Sequence, residues 1–242
     1  MKIQFLCIFV LVFTRIIKGA RDCIKLDVSI TQKVENLGFH RDVHWLIKTN
    51  DLNKEKWLNS SCNAALRLDV GSGMYVNPDQ AEDLKRLGKI NIVVDGFVDV
   101  EAPAHEATKH TVYIFLNKSE LLDKIIIKLP IHLRYHRSLM GGHAKVKLTR
   151  PLFLISCLEN NIICGKGKKV TAPTSAEEPG VPKVWKNITY KADFEEPELL
   201  VPIGNLDDYP CVAIISCILG CAGCIYILSL TYNQNYYREK KQ

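Results

Sequence analysis

The sequence lacks the short motifs that mark the common enzyme active sites. It has no Asp-x-Asp pair of the kind with which glycosyltransferases hold a metal ion and a sugar phosphate. It also has no glycine-rich phosphate loop and no nucleophile elbow. The cysteines outside the C-terminal apolar segment show no paired Cys-x-x-Cys spacing, which argues against a zinc site. We therefore expect no catalytic, cofactor-binding or metal-binding residues in this chain.

A concentrated charge of one sign is also missing. The 32 lysines and arginines against 26 aspartates and glutamates give a net charge of +6, and the basic residues are scattered along the chain. A nucleic-acid surface needs basic side chains clustered on one face, often with interleaved aromatic residues. The distribution indicates a solvated basic surface and no nucleic-acid partner.

The N-terminus has the pattern of an export signal. Lys2 precedes an apolar run over residues 3–13 that is too short to cross a bilayer, and small residues follow at Gly19 and Ala20. The pattern predicts a signal peptide over residues 1–20, with a buried N-terminal strand or helix as the alternative.

The C-terminus contains the one long uncharged run. Residues 212–232 carry no charge and, at about 1.5 Å per residue, would reach roughly 30 Å as a helix. We predict a transmembrane helix over residues 211–232, and the basic residues behind it place the tail, 233–242, in the cytosol. Residues 21–210 would then form one luminal domain, and the chain would be a single-pass type I membrane protein. The polar tail argues for a retained helix rather than a lipid-anchor signal.

Small residues recur along one stripe of this predicted helix. The stripe consists of Ser216, Gly220 and Cys224, at four-residue spacing. Such a stripe lets another helix backbone approach closely, so it favours a helical membrane partner. The alternative is that the spacing arose by chance.

Cysteines and glycosylation sequons both fit an oxidising, exported compartment. Four of the nine cysteines fall in the predicted luminal domain: Cys23, Cys62, Cys157 and Cys164. Four cysteines allow three pairings. We favour Cys157 with Cys164, which flank a short polar loop, and Cys23 with Cys62. Acceptor sequons for N-glycosylation begin at Asn59, Asn117 and Asn187.

Hydropathy patterns of the luminal segment predict a mainly β, sandwich-like domain with one short helix. Seven short runs rich in β-branched and aromatic residues are separated by turn signals. The helix is predicted to begin with Asn77 as N-cap and Gln80 completing a capping box, to face inward through Ala81, Leu84 and Leu87, and to end at Gly88. Residues 165–182 are polar and rich in glycine and proline, and we expect a loop there.

One alternating run, residues 125–135, predicts an edge strand. Its odd positions are apolar, and Pro130 on the polar face indicates an edge strand interrupted at the proline. His132, Arg134 and His136 share the polar face, where a partner-facing surface is favoured. A metal or acid/base site that also uses Glu101, His105, His110 and His143 is the alternative.

Four short segments carry a resemblance to a known family. They are Gly73-Met74-Tyr75-Val76-Asn77-Pro78, Val100-Glu101-Ala102-Pro103, the stretch from Pro130 to Arg134-Tyr135-His136, and Val201-Pro202-Ile203-Gly204. In this order, within a small single-pass protein, they resemble PIG-X, the accessory subunit of glycosylphosphatidylinositol (GPI) mannosyltransferase I.

The resemblance implies a function without catalysis. The chain would be the stabilising subunit of the endoplasmic reticulum (ER) mannosyltransferase that adds the first mannose to the GPI precursor. Its partner would be a multi-spanning, PIG-M-like catalytic subunit. Pro130, His132, Arg134, Tyr135 and His136 would be the family residues available to contact that partner. A single-pass cell-surface adhesion or receptor ectodomain is the alternative.

The topology prediction can be tested in sealed microsomes with a C-terminally tagged chain. Added protease should remove only the tag, because the tail is cytosolic, and endoglycosidase H should shorten the detergent-solubilised protein, because the sequons are luminal. A tag that resists protease in sealed vesicles but not in solubilised ones would reverse the predicted orientation.

Overall fold

The computed structural model describes residues 23–50, 54–158, 163–165 and 167–239. The predicted signal peptide, residues 1–20, lies outside the described residues. The described residues divide into two compact units, one within residues 1–134 and 146–199 and the other within residues 135–145 and 200–242.

Thirteen strands are present in the described part of the chain. They are β1 (Asp27–Glu35), β2 (His40–Asn50), β3 (Cys62–Val70), β4 (Met74–Tyr75), β5 (Asn91–Asp95), β6 (His110–Leu116), β7 (Lys124–Leu133), β8 (His143–Lys147), β9 (Leu152–Cys157), β10 (Lys168–Pro173), β11 (Pro182–Ile188), β12 (Lys191–Ala192) and β13 (Glu198–Pro202). One sheet has the order β12-β1-β2-β7-β4, a second has the order β10-β11-β9-β3-β6-β5, and β13 pairs with β8.

Period-two patterns produce the core of the first unit. The five-stranded sheet buries one face, which includes Val43, Trp45 and Ile47 of β2 and the odd positions of β7. The six-stranded sheet is buried on both faces at its centre. One of these faces holds a cluster made of Ala65, Tyr113, Leu154, Ala172 and Trp185. Because burying a large apolar side chain is worth about 1.5–3 kcal/mol, these faces supply most of the driving force for folding.

The mainly β fold class is confirmed, but the expected loop over residues 165–182 is not one continuous loop. Residues Lys168–Pro173 form β10, which pairs antiparallel with β11 and sets Val170 opposite Trp185. Val170 packs against the Trp185 cluster described above. The flanking glycines and prolines hide this strand in the sequence, and tertiary burial of Val170 and Ala172 stabilises it.

Two short helices, α1 (Lys54–Asn59) and α2 (Pro78–Arg86), accompany the sheets. The Asn77 side chain accepts hydrogen bonds from the amides of Asp79 and Gln80, which confirms the predicted N-cap of α2. Gly88, at φ 65°, follows the last turn, as expected for a helix C-terminus.

Two details of the α2 prediction are wrong. The Gln80 side chain lies 3.0 Å from His132 Nε2 instead of reaching back to Asn77, because His132 on β7 offers a tertiary partner. Leu87 is 63% exposed rather than inward, since the helix ends at Arg86 and the chain turns at Gly88.

The favoured disulfide pairing is also wrong, although the same four cysteines are used. The structure joins Cys62 to Cys157 and Cys23 to Cys164. Neighbouring strands β3 and β9 set Cys62 opposite Cys157 in their register. A bridge between Ile24 and Ile163, with the Cys164 amide donating to the Ile24 carbonyl at 3.0 Å, brings the other pair together.

The second unit contains the long helix α3 (Tyr209–Glu239). Residues Leu206–Tyr232 form a segment long and apolar enough to cross a membrane. The helix extends beyond the predicted 211–232 at both ends, by Tyr209 and Pro210 before the predicted span and by residues 233–239 after it.

Peptide mapping can test the disulfide assignment. In unreduced protein, proteolysis should release peptides that link Cys62 to Cys157 and Cys23 to Cys164, with no labelling of these four thiols after denaturation. Because each bond closes a long loop, reducing either should cost about 2–4 kcal/mol of unfolding free energy. Recovery of a peptide pair that joins Cys157 to Cys164 would contradict the structure and restore the pairing favoured from the sequence.

Candidate functional site

Arg134 lies at the end of β7 and is the centre of the candidate site. The strand alternation stops at Leu133, and both Leu133 and Arg134 are buried, with Arg134 only 3% exposed. The prediction that Arg134 projects from a polar strand face is therefore wrong. The reason is that the chain leaves the strand after Leu133, so the next side chain no longer follows the period-two pattern.

Main-chain atoms of two other segments bind Arg134. Its Nη1 donates to the carbonyl oxygens of Asp99 at 2.6 Å and Ala102 at 2.7 Å. Its backbone amide donates to the Gly73 carbonyl at 2.9 Å. These three partners lie within or next to the Val100–Pro103 and Gly73–Pro78 segments, so the structure joins three of the four segments that carry the family resemblance.

An aromatic group flanks the guanidinium. The Arg134 guanidinium carbon lies 4.5 Å from the centre of the Tyr75 ring, a cation–π geometry. The His132 ring stacks on Tyr75 with centroids 5.0 Å apart and meets His40 edge-on at 4.5 Å. Tyr75, on the two-residue strand β4, is thus shared by the two basic side chains at the end of β7.

Burial shapes the ionisation of this cluster. Desolvation lowers the pKa of His110 to about 4, with the Arg134 charge adding to the effect. His110 Nε2 accepts the Val76 amide at 3.3 Å, so the neutral ring serves as a hydrogen-bond acceptor. Burial, followed by the neighbouring His40, also lowers the pKa of His132. Burial lowers the pKa of Arg134, while Tyr75 and Asp99 oppose that shift.

The arrangement holds chain segments together and provides no nucleophile with an adjacent base. The metal alternative is not supported by side-chain placement: His105 pairs with Glu106, His143 contacts the Gly141 carbonyl, and His110 bonds Val76. Within the residues that the structure describes, no group of three or more His, Cys, Asp or Glu side chains could hold a metal ion.

Pro130 is not an interruption of β7, which runs on to Leu133 with Pro130 opposite Asp42. The Leu133 amide donates to the Phe39 carbonyl, so the amides of odd-numbered β7 residues point towards β2. Pro130 is even-numbered, so its nitrogen points away from β2. On that side the paired partner is β4, which reaches only His132 and Leu133 among the described residues. The missing N–H of Pro130 therefore falls on the open edge, as strand geometry requires.

The remaining predicted residues lie in different parts of the chain. Tyr135 and His136 belong to the second unit, where Tyr135 is 73% exposed and His136 is half-buried. Asn59, at the end of α1, and Asn117, which follows β6, are exposed, while Asn187 is half-buried within β11. The three sequons remain predictions.

Comparison with protein families identifies the group to which this chain is related. The family model described as PIG-X / PBN1 matches residues 36–232, which include all four segments noted above. The chain belongs to the PIG-X / PBN1 family. A comparison with curated proteins gives no match. The PIG-X / PBN1 family is an accessory family associated with GPI mannosyltransferase, so membership implies association with a mannosyltransferase complex.

Sequence reasoning missed several residues of the Arg134 cluster. Tyr75 and the carbonyls of Asp99 and Ala102 had only one signal, their position in or beside the family segments. The sequence groups His110 with possible metal ligands, whereas its Nε2 accepts a hydrogen bond from the Val76 amide. Main-chain acceptors in loops cannot be assigned to a side chain from sequence, since every residue carries a carbonyl.

Replacing Arg134 tests whether the cluster stabilises the first unit. Arg134→Ala leaves the carbonyls of Asp99 and Ala102 without this donor and removes the Tyr75 contact, so we expect a loss of about 2–4 kcal/mol in unfolding free energy. Arg134→Lys should recover part of this loss, because one ammonium cannot reproduce the guanidinium geometry. The readout is urea unfolding of the detergent-solubilised chain.

Arg137→Ala provides the matched control, because Arg137 is exposed and its substitution removes the same charge. It should change stability by no more than about 0.5 kcal/mol. Equal stability of Arg134→Ala and Arg137→Ala would show that the Arg134 contacts do not support the fold.

Proposed function

We propose that this protein is the non-catalytic subunit that stabilises a multi-spanning, PIG-M-like mannosyltransferase. The enzyme would add the first mannose to the GPI precursor on the luminal side of the ER membrane. The observation that carries the proposal is the PIG-X / PBN1 match over residues 36–232. The ER location, the type I orientation and the domain limits 21–210, 211–232 and 233–242 are part of the proposal.

The Arg134 cluster supports a structural rather than a catalytic role. Three of the four family segments meet around the Arg134 guanidinium, whose partners are backbone carbonyls and the Tyr75 ring. These contacts fix the relative positions of the loop after β5, the strand β4 and the end of β7, and they place no general base beside a nucleophile. The residues that bind dolichol-phosphate-mannose and transfer mannose would then belong to the partner.

The membrane helix supports a partner that also spans the bilayer. Ser216, Gly220 and Cys224 lie on one side of α3, and their side of the helix is exposed in this chain. A Cβ atom added at Gly220 would meet nothing within 4 Å. A larger residue at Gly220 therefore disturbs no contact within this chain, so any loss it causes reports on a partner helix.

Partner contacts outside the membrane are proposed for Pro130, His132, Tyr135 and His136. Tyr135 is largely exposed, and Pro130 lies on the open edge of β7. Arg134 would act through the fold, because its guanidinium is bound to Asp99 and Ala102.

Cells that lack this chain give the decisive test. The level of the catalytic subunit should fall, because an unassembled membrane subunit is removed by quality control, and surface display of GPI-anchored proteins should fall with it. Re-expression of the wild-type chain should restore both quantities. An unchanged level of the catalytic subunit and unchanged surface display of GPI-anchored proteins would contradict the subunit proposal and favour the receptor alternative.

Two matched helix variants sharpen the rescue. Gly220→Leu should restore less partner, because the larger side chain separates the helices. Ala222→Leu is the control: two residues on, it lies about 200° around the helix from Gly220 and adds a comparable side chain. Equal rescue by both variants at equal expression would exclude the small-residue stripe as the contact.

A further inference from the structure

Within the second unit, a loop of residues 137–142 is bound to the segment that leads into α3. The Leu139 amide donates to the Gly204 carbonyl at 3.2 Å, and the Leu206 amide donates back to the Leu139 carbonyl at 3.2 Å. The Ile203 amide donates to the Gly142 carbonyl at 3.0 Å. We call residues 137–142 the membrane-proximal loop.

Close packing and one carboxylate complete this connection. The Gly141 amide donates to Asp207 Oδ2 at 3.0 Å. A Cβ atom on Gly204 would lie 2.6 Å from Ser138 Oγ, and one on Gly142 would lie 3.3 Å from Asn205 Cβ. The loop and the helix entry are therefore packed without room for an added side chain at Gly204 unless Ser138 moves.

The segment that binds the loop overlaps the beginning of the candidate membrane span. That span starts at Leu206, whose amide bonds the loop, and α3 begins three residues later at Tyr209. If α3 crosses the bilayer, as the proposed function requires, a loop hydrogen-bonded to residues 203–207 must lie at the same depth as the helix entry.

The side chains at this depth are unusually apolar for a surface loop. Met140 is 77% exposed and Leu139 is 49% exposed, and at the helix entry Leu206 and Tyr209 are 43% and 68% exposed. Asp207 and Asp208 lie beside them in the same turn, and carboxylates do not enter the hydrocarbon region readily. Apolar tips beside carboxylates, with a tyrosine at the helix start, match the composition of the bilayer interface.

We propose that the membrane-proximal loop inserts Leu139 and Met140 into the interfacial layer of the lipid bilayer. Lipid is the occupant because it surrounds the point where a spanning helix enters the membrane. The chain then contacts the bilayer at two places, the helix and the loop, and the hydrogen bonds between them fix the tilt of the helix entry. This proposal rests on the proposed membrane span, and its test separates the two.

The test places single tryptophans in the full chain, reconstituted in nanodiscs whose lipids carry bromine at shallow or at deep acyl positions. The native Trp45, Trp57 and Trp185 are buried in the protein, and the unsubstituted chain gives their background. In Met140→Trp, fluorescence should be lost more strongly with shallow than with deep bromines. In Leu219→Trp, near the middle of the span, the order should be reversed.

A third variant tests the connection itself. Gly204→Val, combined with Met140→Trp, should separate the loop from the helix entry, reduce quenching by shallow bromines and increase quenching by acrylamide in water. If Gly204→Val does not fold, the comparison of the Met140→Trp and Leu219→Trp variants stands without it.

The outcomes distinguish the loop proposal from the membrane span. No lipid quenching of Leu219→Trp would overturn the span and the loop proposal with it. Quenching of Leu219→Trp by lipid but of Met140→Trp by acrylamide alone would overturn the loop proposal only. A tryptophan at residue 140 that is protected from both quenchers would also overturn it and would indicate a protein contact.

Discussion

The contacts of the Arg134 guanidinium are the constraint on which the family-related part of the first unit depends. Burying a cation is costly unless it is paired, and here Nη1 donates to the carbonyls of Asp99 and Ala102 while the Tyr75 ring lies 4.5 Å from the guanidinium carbon. The cost of desolvation is offset only in the folded arrangement. The loop after β5, the short strand β4 and the end of β7 must therefore be placed together.

These contacts show how a structural requirement can produce short sequence motifs. Residues that fix the positions of loops produce short signatures just as catalytic residues do, since a guanidinium with defined donors allows few alternatives. Desolvation lowers the pKa of the buried His110 to about 4 and also lowers the pKa of the half-buried His132, so the charged form of each ring is disfavoured. Perturbed ionisation alone does not mark catalysis.

The second unit also uses main-chain hydrogen bonds, at the start of the candidate membrane span. Backbone hydrogen bonds connect the membrane-proximal loop to residues 203–206, which include the end of the Val201–Gly204 segment. The fourth family segment thus contributes to the connection at the helix entry, while the other three contribute to the Arg134 cluster. In both places main-chain amides or carbonyls take part in the contacts, so the segments specify a backbone conformation.

The sequence by itself determined the features that depend on neighbouring residues. These are the alternation of β7, the Asn77 cap and Gly88 end of α2, and the apolar length of α3, all set by local periodicity and capping. Only the tertiary structure decided the burial of Arg134, the strand β10 and the disulfide pairs. The pairing of Cys62 with Cys157 follows from the register of β3 against β9, 95 residues apart in the chain. Such long-range register leaves no local pattern, because it is fixed by which apolar faces can be buried together.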